Sequence, residues 1–244
     1  MLRRILPLAA LFLLAAHGAA VGAQESQKAE DKQKPEATQT PQATPAPAAT
    51  PKQGASPKAT AARYWELLDK LKRGERDVDF TELRMSYTET ADYNPYGDNS
   101  DARRAMFAAL RTSKWDDALS QSAKILEKNY ADIDGHVGAY SANRQRGDAA
   151  KADFHKYVFL GLIESVRSGG DGSSAERAIV VISTDEEYAL LSFLGLQRTN
   201  QALLNSGGHA YDRLAAVDPE TKKTYYFYFR IDIPFGWLGR SLKK

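Results

Sequence analysis

The chain has 244 residues, with 33 Lys and Arg set against 31 Asp and Glu, 43% hydrophobic residues and no cysteine. The charges are interspersed without a long single-sign run, which argues against nucleic acid or an anionic membrane surface as partner. Lack of cysteine excludes disulfides, thiolate metal sites, a cysteine nucleophile and lipidation at a mature N-terminal cysteine.

Arg3 and Arg4 precede an apolar run, Ile5 to Ala16, and small residues then lead to Val21-Gly22-Ala23 before Gln24. That order predicts a secretory signal peptide over residues 1–23. The run contains Pro7 and falls short of the roughly 20 residues that span a bilayer, so no stable membrane insertion is expected after cleavage. The expected location is the periplasm or the cell exterior, as a free protein and not a lipoprotein. Loss of Arg3 and Arg4 makes basic and acidic residues equal in number, so the sequence pI of 8.6 overstates the charge of the exported form. Residues 24–60 are rich in Pro, Ala, Thr, Gln and Lys, too poor in large apolar groups to offset the entropy of ordering them, and are expected to form a disordered linker.

Residues 61–244 hold all 12 Tyr and all 3 Trp, as a packed globule requires. They are long enough for one domain with its own core. Tyr64, Leu67, Leu68 and Leu71 recur at helical spacing and stop at Gly74, which predicts a first helix. A second short helix is expected around Val78–Tyr87, followed by an ordered aromatic loop, Tyr93-Asn94-Pro95-Tyr96-Gly97. Between 101 and 166 four helices are expected, broken at 112–114, near 129–134 and at 147–148. Ala118 and Ala152 are separated by the period of tetratricopeptide helix pairs, where small residues let helices approach; the reading is a tetratricopeptide-like pair of hairpins.

Past the glycine-rich Ser168–Ser173 the pattern changes. Ala178–Ser183 has the β-branched density of a buried strand. Tyr188–Leu194 suits strand or helix, with the strand preferred. Tyr211–Val217, the turn 218–223 and Thr224–Ile231 predict a hairpin, and Gln201–Leu204 a neighbouring strand joined through Ser206-Gly207-Gly208. Pro234 is expected to close the last strand, with Phe235, Trp237 and Leu238 folding back as an apolar lid or forming a contact patch. The fold class that follows is α+β: a helical part over about 61–167 packed on a mainly β part over about 176–233, an antiparallel meander.

Val78-Asp79-Phe80 with Leu83-Arg84 and Tyr87, then Tyr93-Asn94-Pro95-Tyr96, Gly147-Asp148, Phe154-His155, Ser168-Gly169-Gly170-Asp171-Gly172, Glu186-Glu187-Tyr188, Tyr211-Asp212 and Tyr225-Tyr226-Phe227 together resemble the bacterial family called domain of unknown function 4919. The resemblance covers roughly 63–237. It implies an exported, periplasmic bacterial protein without an assigned activity, and carries over no catalytic residues.

The chemistry-bearing residues admit structural and functional readings side by side. His136 and His155 fall on or beside apolar helix faces and can be neighbours, either as core histidines bonded to a carbonyl or to each other, or as an acid–base group. No His-x-x-x-His or His-Glu-x-x-His word supplies a metal site, so no metal is expected. Ser168–Ser173 lacks the endings of a phosphate loop and the alternating carboxylates of a calcium loop, and reads as a helix terminator passing into a turn. Asp185-Glu186-Glu187 reads as a solvated turn; in a strand Glu186 and Glu187 would face opposite sides and not act together. Asp79, Glu82 and Arg84 suit a local ion-pair set. No Gly-x-Ser-x-Gly or Gly-x-Gly-x-x-Gly word appears, and no cofactor is expected.

These readings favour a non-catalytic binding module of the cell envelope, its partner another envelope protein or a small ligand; Tyr226, Tyr228, Phe235 and Trp237 are the candidate contact residues. The alternative is a periplasmic hydrolase-type enzyme with His155, Asp171 and Glu187 converging in one pocket. A third reading is a spacer.

Overall fold

In the computed structural model, which describes residues 57–97 and 99–242, the first helix, α1 (Pro57–Lys72), starts inside the compositionally defined linker and ends before Gly74 at φ 83°. The expected signal peptide and linker residues 24–56 lie outside the described residues. Tyr64, Leu67, Leu68 and Leu71 form the buried stripe of α1, as their spacing requires. Helix α2 (Phe80–Tyr87) is capped by Asp79, whose Oδ1 accepts from the Glu82 amide at 2.9 Å. The aromatic loop that follows is anchored by Tyr93, whose hydroxyl donates to the Ile182 carbonyl at 2.6 Å.

Four consecutive helices then pack in succession: α3 (Ser100–Arg111), α4 (Trp115–Lys128), α5 (Ile133–Gln145) and α6 (Ala149–Ser168). Their breaks fall where Asp132 caps α5 and Asp148 caps α6. Packing between them is close. A Cβ added to Gly138 would come within 2.2 Å of Met106 Sδ and 2.6 Å of Ser122 Oγ, so glycine is what lets α5 approach α3 and α4. Ala109, Ala118 and Ala142 meet in a small buried cluster beside it.

The C-terminal part comprises β1 (Ile179–Val180), α7 (Thr184–Phe193), β2 (Gln197–Ser206), β3 (His209–Val217), β4 (Thr224–Arg230) and α8 (Asp232–Ser241). The sheet order is β1-β4-β3-β2; β2, β3 and β4 form the expected antiparallel meander, and β1 pairs parallel to β4. Gly207 and Gly208, both at positive φ, make the two-residue turn between Ser206 and His209 that a tight hairpin demands. On β3, Ala210, Asp212, Leu214 and Ala216 alternate onto the buried face.

Three expectations are corrected. The apolar run Tyr188–Leu194 belongs largely to helix α7, which begins with three acids in its first turn and is followed by Gly195 at φ 72°. Acids at a helix start complement its dipole, and this outweighed the strand-like flanks. Of Ala178–Ser183 only Ile179–Val180 pair as a strand, and Pro234 lies in the first turn of α8, where its missing N–H costs nothing. The main core runs through both parts, from α1 and α6 to β3 and β4.

Candidate functional site

A cavity of about 520 Å³ is lined by residues of α1, α4, α5 and α6 and the segments next to them. That size lies within the roughly 300–1,000 Å³ typical of small-molecule pockets. Each helix contributes a stripe: Tyr64 and Leu68 from α1, Leu119, Ser122 and Leu126 from α4, Ala139 and Asn143 from α5, Lys151 and His155 from α6. These offsets of three and four put the side chains of one helix on one face. Trp65 and Tyr130 complete an aromatic margin, with the Lys72 ammonium 5.3 Å from the Tyr130 ring centre.

The polar part of this wall is built on the two histidines. His136 is wholly buried, its Nε2 2.9 Å from the Tyr130 carbonyl and its Nδ1 2.9 Å from Nδ1 of His155. A carbonyl only accepts, so His136 Nε2 carries the proton and, in a neutral ring, its Nδ1 accepts. His155 Nδ1 therefore donates. Burial holds His136 down at about 3, with the neighbouring His155 adding to it, and holds His155 down at about 4. Both rings are neutral at ordinary pH. Ser122 and Asn143 are buried on the same wall; Asn143 Nδ2 donates to the Ala139 carbonyl at 2.8 Å, and Ser122 Oγ has no hydrogen-bond partner among the described residues.

His155 and Asp171 do not converge, and Glu187 is not among the residues that line the cavity with His155. From His155 to the end of α6 is roughly 20 Å at 1.5 Å per residue, and Asp171 lies beyond that end, exposed. Arg177 and Ser173 hold the Asp171 carboxyl down at about 2, and the glycine-rich segment serves as a turn, with the Tyr228 amide donating to the Gly172 carbonyl. Glu187 is not in a solvated turn. It is fully buried on α7, with neither carboxyl oxygen partnered among the described residues. Burial raises it to about 9, and the charges of Asp212 and then Glu186 push the same way. Asp212, buried on β3, accepts from Gln201 Nε2 at 2.7 Å and is itself raised by burial.

Glu186 is buried too, against the expectation of solvent. Its Oε1 meets Arg84 Nε at 2.6 Å and its Oε2 accepts from the Ile182 amide at 2.9 Å. Arg84 donates further to Ser165 Oγ and the Val180 carbonyl. The expected local set is thereby dissolved: Asp79 caps α2, Glu82 bonds Arg63 and Arg84 turns inward to α7. Arg103 gathers Asp132, Asp134 and Asp185, and Asp134 is raised to about 7, chiefly by burial and then by Asp132.

Of the candidate contact residues, Tyr226 and Phe235 are exposed, while Trp237 packs against the core near Tyr96 and Tyr228 is half-buried. Tyr226 carries the Arg213 guanidinium over its ring. Sequence reasoning passed over Ser122, Asn143 and Asp212. Only Asp212 left a signal, a carboxyl at an inward position of an otherwise apolar alternation.

An α+β domain with a ligand-sized cavity among its helices is the class these features define. The chain belongs to the family described as domain of unknown function 4919, which matches residues 55–235. Comparison with curated proteins and with solved structures returned no match.

Proposed function

We propose that this chain is an exported cell-envelope protein that acts as a non-catalytic binding module, with the cavity between α1 and the α4–α6 helices as its seat. The cavity itself carries the reading: it is ligand-sized, and apolar and aromatic side chains share its wall with charged ones and with polar groups from neighbouring helices. The separation of His155 from Asp171, with Glu187 outside the cavity lining, weighs the same way, since acid–base chemistry needs its groups within reach of one substrate. The N-terminal signal pattern and linker support a free protein of the periplasm or exterior, and the helix pairs support tetratricopeptide-like use of a surface.

Photocrosslinking groups placed in cells at Leu119 or Ala123, on the cavity wall, are expected to give a discrete adduct, read by mass, that is absent at exposed Glu164 outside it. Equal labelling at all three positions, or none at the wall, would defeat the reading. The mature N-terminus of the same sample is expected near Gln24.

A hydrolase-type enzyme is favoured by one observation, the buried Glu187 carboxyl, unpartnered among the described residues and raised by burial and by the charge of Asp212, since carboxyls in unlike environments divide acid and base roles. Under the binding reading Glu187→Gln leaves the wall adduct unchanged; under the enzymatic one it removes turnover.

A further inference from the structure

The hydrogen-bond chain into the cavity has a direction, and it fixes what the wall offers. It starts at a group of known polarity, the Tyr130 carbonyl, which accepts from His136 Nε2. His136 then accepts at Nδ1, and His155 donates from Nδ1. His155 lines the cavity and its Nδ1 is engaged with His136, so Nε2 is the ring nitrogen left, without a hydrogen-bond partner among the described residues. In the neutral ring that nitrogen is a lone pair. Asn143 stands on the same wall with one N–H of its amide given to the Ala139 carbonyl, which leaves its oxygen as an acceptor beside its second N–H. Leu68, Leu119 and Leu126 supply an apolar part of the wall, and Lys72, Asp92, Glu127, Lys128 and Lys151 a charged part.

We propose that the cavity takes a small aromatic molecule bearing one N–H or O–H donor, received by Nε2 of His155, with the ring seated on the leucines. The inference rests on the binding reading above. Burial keeps the imidazole uncharged at ordinary pH and so keeps the acceptor available. An apolar molecule of the same size without a donor leaves that lone pair desolvated and unpaired, and is rejected for it.

The test uses two isomers of equal volume, 3-methylindole, which keeps its N–H, and 1-methylindole, which lacks one. Titration of the ¹⁵N-labelled protein from residue 24 onward is followed at backbone amides of the cavity and at the His155 side-chain nitrogens. The 3-methyl isomer is expected to bind about 10-fold tighter or more, to move the cavity amides and to shift His155 Nε2, while the 1-methyl isomer leaves Nε2 in place. In His155→Phe the two isomers bind within about twofold of each other. Should that variant unfold, the Nε2 shift in the unaltered protein decides alone. Equal affinities, or binding that leaves Nε2 unmoved, overturn the donor assignment while the binding module stands. Absence of binding by both isomers overturns it as well, and the wall adduct of the crosslinking experiment then separates a wrong ligand class from a wrong site.

Discussion

Glu187 carries two buried carboxyl oxygens without a hydrogen-bond partner among the described residues. A fully buried carboxyl with no partner among the described residues keeps its proton because the charged form has no solvation to replace water. Its raised value ties stability to pH in a definite direction. The folded form binds the proton up to about 9, whereas the unfolded chain releases it near 4.5, so folding takes up a proton between these limits. Stability therefore falls as pH rises through that window, by at most about 1.4 kcal/mol per pH unit from this group. Glu187→Gln removes the titration and nearly preserves the shape. Thermal melts from pH 5 to 9 are expected to show the variant gaining on the parent as pH rises, with the two closest at pH 5; parallel curves would mean that Glu187 is not protonated in the folded state. The histidines act at the other end. His136 and His155 are held low by burial, so the folded form refuses protons that the unfolded chain accepts below 6.5, and their contribution is lost on acidification down to about 4 for His155 and about 3 for His136.

At the scale of elements, glycines inside helices separate two kinds of position. Gly161, on α6, faces α2: an added Cβ would lie 2.2 Å from Phe80 Cδ2 and Cε2. Gly→Ala inside a helix ordinarily gains up to about 1 kcal/mol, but overpacking at a close contact costs about 1–3 kcal/mol. Gly161→Ala is expected to be destabilising in urea melts. Gly239 on α8 has nothing within 4 Å of the added atom, and Gly239→Ala is expected to be neutral or stabilising by up to about 1 kcal/mol. A gain at both positions would mean that α2 does not sit on α6. The same local-versus-tertiary divide governs what the sequence disclosed. The four helices from Ser100 to Ser168 were legible because caps and turn residues, Asp132, Asp148 and Gly147, stand at their boundaries. Helix α7 is harder to read: Asp185-Glu186-Glu187 at its start and Gly195 after its end are helix signals, but its apolar run stands among strand-forming segments. Of the cavity, His155 was legible as a chemical group and its bond to His136 as a possibility. Ser122 and Asn143 were not: on a helix both read as exposed polar residues, and only the approach of α5 to α4 across Gly138 buries Ser122.

For the domain as a whole, the decisive joint is the Arg84–Glu186 pair. Through it α2 reaches α6 at Ser165, the β1 carbonyl of Val180 and the first turn of α7, while Glu186 returns a bond to the Ile182 amide. Helical and β parts thus share one buried charge centre within the unit Ala55–Lys244. Such a pair adds little over a well-packed apolar substitute, because desolvating both ions offsets most of their attraction. Removing one partner is different, since it strands a buried charge at a cost of about 3–5 kcal/mol. Arg84→Met is accordingly expected to lower the melting temperature by roughly 6–20 °C for a domain of this length, and Arg84→Met with Glu186→Leu to recover most of it. If the joint is what makes the two parts unfold together, the single variant should also show amides of β3 exchanging apart from those of α5, whereas in the parent they exchange at one rate. A double variant as unstable as the single one would show that the hydrogen bonds to Ser165, Val180 and Ile182, and not the stranded charge, carry the coupling.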